Sequence, residues 1–513
     1  MKKLTFLILS LIPFFVSGQI TFQKIFTLSD KNFGNTICNV PANRYAIAGQ
    51  VSIYPGKTRM FVLLVDEAGD TLWTKMLQDT VDVFAIKIIL TPDTNLVLMG
   101  LRRNTEIIFL KLDLLGNILL SKSIVSSSPY HLGCSQIINA TDSGYLILGT
   151  IADFQGIGNT ILVKTNTLGN VEWTKVFYSG LSGWQLIKKD SFYLLSATSP
   201  KSVLLKIDSQ GNIIWGHSYD YSMGSIITSI HETNDNGYIL GGFIDHYPTM
   251  DWLEATLLKV DSVGNNQWSM GYGFPGGSDT KIFDVVPKAN GNYVFTFSNL
   301  IAFYYGAGLV ETDSAGNPLW YRAYETSGDQ IKAVRTSDDG FMIASTGLKW
   351  AQGYNLLSLI LIKTDSTGNS GCYDTTAAMV YHALNPVLDT IMLGDSSVSL
   401  ASANLFLLQD SLFSIHDFCF SVNTDNESRL LGSQIVLYPN PTNDKLTISN
   451  LQSSINQIVI YSMLGEKIFP AVYLQTTNSQ LRTEIDISSL TNGIYILQIS
   501  DGEKTWRGKV IKE

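Results

Sequence analysis

An eight-residue pattern recurs along the chain and constrains its fold more than any other feature. DSVGNNQW at Asp261 to Trp268 returns as DEAGDTLW from Asp66, NTLGNVEW from Asn166, DSQGNIIW from Asp208 and DSAGNPLW from Asp313. Two further copies, DLLGNILL from Asp113 and DSTGNSGC from Asp365, lack the tryptophan. The seven glycines, at positions 69, 116, 169, 211, 264, 316 and 368, are 47, 53, 42, 53, 52 and 52 residues apart. That period is blade length for a propeller of four-stranded sheets. A motif written seven times is a structural unit rather than one active site.

A second element stands about twenty-five residues before each glycine: NRYAIAGQ, TNLVLMGL, SGYLILGT, DSFYLLSA, NGYILGGF, GNYVFTFS and DGFMIAST. Each is a short apolar run entered through Gly, Asn or Asp, the sequence form of a buried strand after a tight turn. The fifth unit reads as strands at 225–232, 237–244, 255–262 and 266–272, with the motif joining the third to the fourth. In it Asp bonds the turn backbone, Gly takes positive φ, and Trp opens a strand that packs on the next blade. The turns lack the alternating oxygen ligands and distal Glu of a calcium loop.

The seventh unit has no apolar fourth strand of its own. ITFQKIF at 20–26 aligns with VEWTKVF at 171–177, placing Phe22 at the Trp position. The expected fold is therefore all-β: a seven-bladed propeller over 19–371, closed by an N-terminal strand that leaves no open sheet edge. A β-rich connector (372–430) and a small Ig-like β-sandwich (431–513) follow.

Residues 1–18 combine Lys2 and Lys3, an apolar run and small residues, the layout of a secretory signal peptide. No later stretch has the length of a membrane-spanning helix. Formal net charge is −9, or −11 once Lys2 and Lys3 are removed, which argues against nucleic acid as a partner. Of four cysteines, Cys372 and Cys419 bracket the connector and are the candidate disulfide. Cys38 and Cys134 lie in strands of non-neighbouring units and are expected to be free and buried.

Chemistry leaves no local signature. The six histidines are dispersed, and there is no H-E-x-x-H, G-x-S-x-G, P-loop or C-x-x-C. No cofactor or metal is expected, and the balance is against an enzyme. Binding is expected on the longer loops between strands two and three and between blades. These loops carry the candidate ligand-binding residues Tyr247, Trp252, Tyr304, Trp350, Tyr354 and Asp245. Aromatic rings beside carboxylates suit a glycan or a protein loop.

The last eighty residues have another texture: Tyr438-Pro439-Asn440-Pro441, IVIYSMLGEKI with Gly465, LTNGIYIL with Gly493 and Tyr495, and the ending Gly508-Lys509-Val510-Ile511-Lys512. In that order they resemble the type A C-terminal sorting domain of the type IX (Por) secretion system of Bacteroidota. Ser462 stands where the family often has Asp. The propeller units more loosely resemble repeats of exported proteins from the same bacteria. The resemblance implies an exported cargo that passes the periplasm, meets the type IX translocon through this domain, and is secreted or held at the outer-membrane cell surface. For the passenger, a binding or adhesion module ranks ahead of a secreted polysaccharide or peptide hydrolase and of a structural surface protein.

Overall fold

The computed structural model describes residues 19–512, except 28–30, 54–55, 78, 80, 104, 127–130, 153–157, 179, 200, 247–251, 275–278, 302–303, 325, 327–330, 352–353, 373, 375–378, 392, 399, 405–407, 411–413, 423–435, 439, 441, 450–456, 463–466, 473–481 and 501–504. The signal-peptide reading of 1–18 lies outside them. Every named element is a β-strand. The chain divides into two compact units, residues 1–423 and 424–513.

In the larger unit the strands of each sequence repeat pair antiparallel with one another in chain order. The fifth runs Gly224–Glu232, Tyr238–Asp245, Leu253–Val260 and Asn266–Gly273 in simple order, within two residues of the ranges expected from sequence. Repeats two to six form five such sheets, and repeats one and seven belong to one ten-stranded sheet. Ile20–Thr27 pairs antiparallel with Tyr354–Thr364 of the seventh repeat, Phe22 opposite Lys363 and Phe26 opposite Leu359. This is the position a fourth strand takes in the other sheets.

The core lies between sheets. Val40, Ala46 and Val62 of the first repeat pack with Val83, Leu98 and Ile108 of the second, and equivalent clusters join each later pair. One more cluster packs Met342, Leu359 and Leu361 of the seventh repeat, with Phe22 and Phe26, against Ile47 and Phe61 of the first. Alternation along each strand makes this possible, because successive side chains point to opposite faces and each face meets a neighbouring sheet.

The motif is what locks the sheets together. Asp261 Oδ1 accepts the backbone N–H groups of Val263 and Asn265, and Asn265 Nδ2 donates to Asp261 Oδ2. Gly264 has φ +88°. The indole of Trp215, in the preceding sheet, lies 3.0 Å from where a β-carbon on Gly264 would stand. Trp73 faces Gly116 in the same way, as do Trp173 with Gly211, Trp268 with Gly316 and Trp320 with Gly368; Phe22 faces Gly69. Gly is thus required twice, for its positive φ and for the close approach of a ring.

The connector is spread over the sheets as fifth strands. Val380–Leu384 pairs with the outer strand of the fifth sheet, Val387–Thr390 with the fourth, Gly394–Ser396 with the third, Leu400–Asn404 with the second and Leu408–Asp410 with the first. Ser414–Val422 then pairs with Ile20–Thr27. The chain retraces the repeats in reverse order along their outer edges.

The smaller unit holds a three-stranded sheet (Val436–Tyr438, Lys445–Ser449, Arg482–Asp486) and a four-stranded one (Lys467–Val472, Gln457–Ser462, Gly493–Ser500, Thr505–Lys512). They share a core of Leu446, Ile448, Ile460, Ile485, Leu497 and Val510.

Candidate functional site

The motif aspartates are consumed by their turns. Asp113, Asp208 and Asp313 each accept two backbone N–H groups and an asparagine side chain, as Asp261 does. Burial alone would raise these carboxyls, but the hydrogen bonds outweigh it and leave them below the usual range. The third-strand lysines are likewise occupied. Lys111 pairs with Asp93, Lys164 with Asp142 and Lys259 with Asp235.

One corner of the loop face is richer. Trp252, between two strands of the fifth sheet, is half-buried and lies 5.7 Å from the His246 ring, centroid to centroid. Its buried indole N–H has no hydrogen-bond partner among the described residues. His246 Nε2 is 2.9 Å from Glu254 Oε2, and His382, from the edge strand Val380–Leu384, places Nδ1 3.4 Å from Glu254 Oε1. Asp279, opening the sixth sheet, accepts the N–H of Leu253 at 2.9 Å. Asp245 is exposed at the end of its strand.

The other candidates are placed less fully. Tyr247 lies outside the described residues. Tyr304, Trp350 and Tyr354 are strand residues rather than loop residues: the hairpins stay paired out to Ile301 opposite Tyr304 and Ala351 opposite Tyr354. Their alternation continues the strands, so the connections shrink to two residues. Their side chains lie outside the described residues; of the candidates whose side chains are described, Asp245 and Trp252 both lie at the corner.

A second cluster was not legible in sequence, because its members come from separate sheets with no local pattern. Asp284 accepts from Ser229 Oγ and the N–H of Val285, and His231 Nε2 is 3.2 Å away. Burial pushes the Asp284 carboxyl up, but the nearby Lys332 ammonium and the His231 hydrogen bond hold it well below the usual range. Burial and the Lys332 charge lower the Lys87 ammonium. A cleft of about 240 Å³ between the first and seventh repeats is lined by Arg44, Tyr45 and Arg335. Arg44 donates to Pro41 O and Arg335 pairs with Asp339. No three His, Cys, Asp or Glu residues among those described could hold a metal ion.

Cys372 is disulfide-bonded, whereas Cys38, half-buried, and Cys134, buried, are free thiols.

In the smaller unit, Asn440 of the Tyr-Pro-Asn-Pro segment accepts the N–H of Ile511 at 2.8 Å, and Thr442 N donates to Ile511 O. The first and last sequence features of the tail are thereby tied together. Gly493 pairs with Lys512, Tyr495 with Val510 and Ile496 with Lys509, and Tyr495 OH donates to Thr491 O. Pro439, Pro441 and Gly465 lie outside the described residues.

Residues 436–513 match the secretion system C-terminal sorting domain. The sorting domain marks the chain as a cargo of the type IX machinery, bound for secretion or the cell surface. No curated protein matches the chain. Among solved structures it is similar to a protein of unknown function from Bacteroides caccae (12% identity, 59% of this chain and 93% of that one, TM-score 0.35). It is also similar to a member of the duf4221 family from Bacteroides vulgatus (10%, 70% and 100%, TM-score 0.33) and to the WD40 domain of SCAP from fission yeast (8%, 67% and 99%, TM-score 0.33). No helix among the described residues is long and apolar enough to cross a membrane.

Proposed function

We propose that the sorting domain is an address and the larger unit its passenger, a seven-bladed propeller that binds a glycan or a protein outside the cell. The match over 436–513 carries the first half. Comparing wild type with a truncation after Ser433, by fractionation and mass spectrometry of medium and surface, tests it. Retention of the truncated protein in the periplasm supports the address; equal export of both rejects it.

For the passenger, the ring is supported by core clusters that join every successive pair of sheets and the last to the first. The binding role is supported by the Trp252 corner, where a half-buried indole, its N–H without a partner among the described residues, stands beside His246 and an exposed Asp245. An apolar face with a free donor suits a sugar ring or a peptide carbonyl. A hydrolase is the second reading, since Glu254 and Asp279 lie at the same corner. It is disfavoured because Glu254 is held by two histidines and Asp279 by Leu253 N–H. Glycan arrays and surface-protein pull-downs with wild type and Trp252→Ala test the corner. Equal binding by the two removes it as the site.

A further inference from the structure

Gln23 has Ser370 and Asp374 on its side chain and the strand Ser414–Val422 beside its backbone. Gln23 is 1% exposed, and its Nε2 donates to Ser370 Oγ at 2.9 Å and to Asp374 Oδ1 at 3.2 Å. Asp374 also accepts the Ser370 backbone N–H at 2.5 Å, tightening the turn that contains Cys372. On the other side of the same strand, Cys419 is the residue opposite Gln23 in the backbone register. Cys372 is disulfide-bonded, and of the four cysteines Cys38 and Cys134 are free.

Between these two points the chain makes a circuit. It leaves the seventh repeat at Cys372. At Met379 it packs on the cluster shared by the fifth and sixth sheets, then pairs in turn with the outer strands of the fifth, fourth, third, second and first sheets. It returns to the seventh repeat on Ile20–Thr27. We propose that residues 372–419, closed by a Cys372–Cys419 disulfide, form a covalent hoop around the outer edges of the sheets, and that the disulfide is a clasp over the seam between the seventh repeat and the first.

The location matters because the seam is the one place where the ring is joined by strands distant in sequence. The four strands of each of repeats two to six are one continuous stretch of chain, whereas the fourth strand of the seventh sheet, Ile20–Thr27, comes from the other end of the unit and is held to the seventh repeat by strand pairing. Without a clasp, peeling Ser414–Val422 and then Ile20–Thr27 would open the ring. With it, the two ends of the circuit cannot separate while the sheets stay inside. The clasp also lies upstream of residue 436, where the sorting domain begins, so loss of that domain leaves the hoop closed.

Closing the bond removes two protons and two electrons from two thiols. A protein disulfide of a thiol–disulfide oxidoreductase accepts the electrons and becomes a dithiol, as in an oxidising compartment. This step rests on the export reading, but the bond and its effect are tested on purified oxidised protein, where failure of either is separate from failure of export.

A protease site placed between Ser396 and Leu400 cuts the circuit between two of its strands. After cleavage, the oxidised protein should run as one species without reductant and as two fragments with it. Two fragments in both lanes, or a peptide map linking Cys372 to any residue but Cys419, overturns the clasp. Hydrogen exchange then tests the seam in uncut protein. In Cys419→Ser, and in wild type treated with dithiothreitol, amides of Ile20–Thr27 and Ser414–Val422 should exchange at least tenfold faster, while those of Leu194–Leu205 are unchanged. Unchanged protection at the seam in both overturns the role in closure. Using the reduced wild type as well as the variant keeps the test valid if Cys419→Ser fails to fold.

Discussion

Phe22 lies with its ring edge against Gly69, Cζ 2.4 Å from where a β-carbon on that glycine would stand, just as Trp320 lies against Gly368. Two residues on, Lys24 Nζ reaches Asp70 at 2.7 Å, as Lys122 reaches Asn170 and Lys175 reaches Asn212. The N-terminal strand therefore repeats the ring contact made by Trp73, Trp173, Trp215, Trp268 and Trp320 and the lysine contact made by Lys122 and Lys175. Gly69→Ala should be more damaging than Gly56→Ala. Both glycines have positive φ, 75° and 91°, but nothing lies within 4 Å of the Gly56 position. Strain of roughly 1–2 kcal/mol is common to both, and displacing Phe22 adds about 1–3 kcal/mol to the first alone. Urea denaturation of the two variants measures the difference, and equal losses would show that the ring contact contributes nothing.

Tyr219, Tyr272 and Tyr324 donate their hydroxyls, each at 2.7 Å, to the carbonyls of Gly264, Gly316 and Gly368 in the following sheet. Tyr324→Phe keeps the ring and leaves the Gly368 carbonyl buried without that donor. The expected loss is about 1–3 kcal/mol, read as a fall in the denaturation midpoint with an unchanged slope. The same substitution at Tyr461, which is in the other compact unit, should leave this transition where it is.

Much of this architecture was legible because the repeat writes it seven times. The turn chemistry of Asp261 and Gly264, the strand limits of the fifth sheet and the role of Phe22 all follow from local pattern and alignment. The tyrosine hydroxyl bonds were visible in outline, since an aromatic stands four residues after Trp215, Trp268 and Trp320, but their acceptor belongs to another sheet. Asp284, His231 and Lys332 carry no signal at all, because only the packing of the fifth, sixth and seventh repeats against one another brings them together. The sheet partners of the connector carry no sequence signal, because its strands are only three to nine residues long and those partners lie up to hundreds of residues away.

Acid should weaken the larger unit in a defined window. Burial raises the carboxyls of Asp93 and Asp235, but hydrogen bonds from Lys111 and Thr91, and from Lys259 and Thr233, reverse this and leave both at about 2. An unfolded aspartate titrates near ~3.9. The folded value is the lower one, so the stabilisation is complete above about pH 4 and is lost as pH falls toward 2. Both side chains are about half exposed, at 56% and 52%, and solvent screening keeps each contribution small. Melting temperatures from pH 5 to pH 2 should fall less steeply for Asp93→Asn than for wild type. Parallel curves would rule the pair out as a source of acid sensitivity.

The free thiols should be inert in the folded protein. Burial pushes the Cys38 thiol up to about 12, with Lys87 opposing it only in part, and burial raises Cys134 further. At pH 8 the Cys38 thiolate is then about one part in ten thousand, and it is the thiolate that alkylates. Iodoacetamide at pH 8 should add nothing to the native protein, two groups in denaturant and four after reduction, counted by intact mass. Two groups on the native protein would mean that the first strands of the first and third repeats open on the labelling timescale. Four groups in denaturant without reductant would mean that Cys372 carries no disulfide.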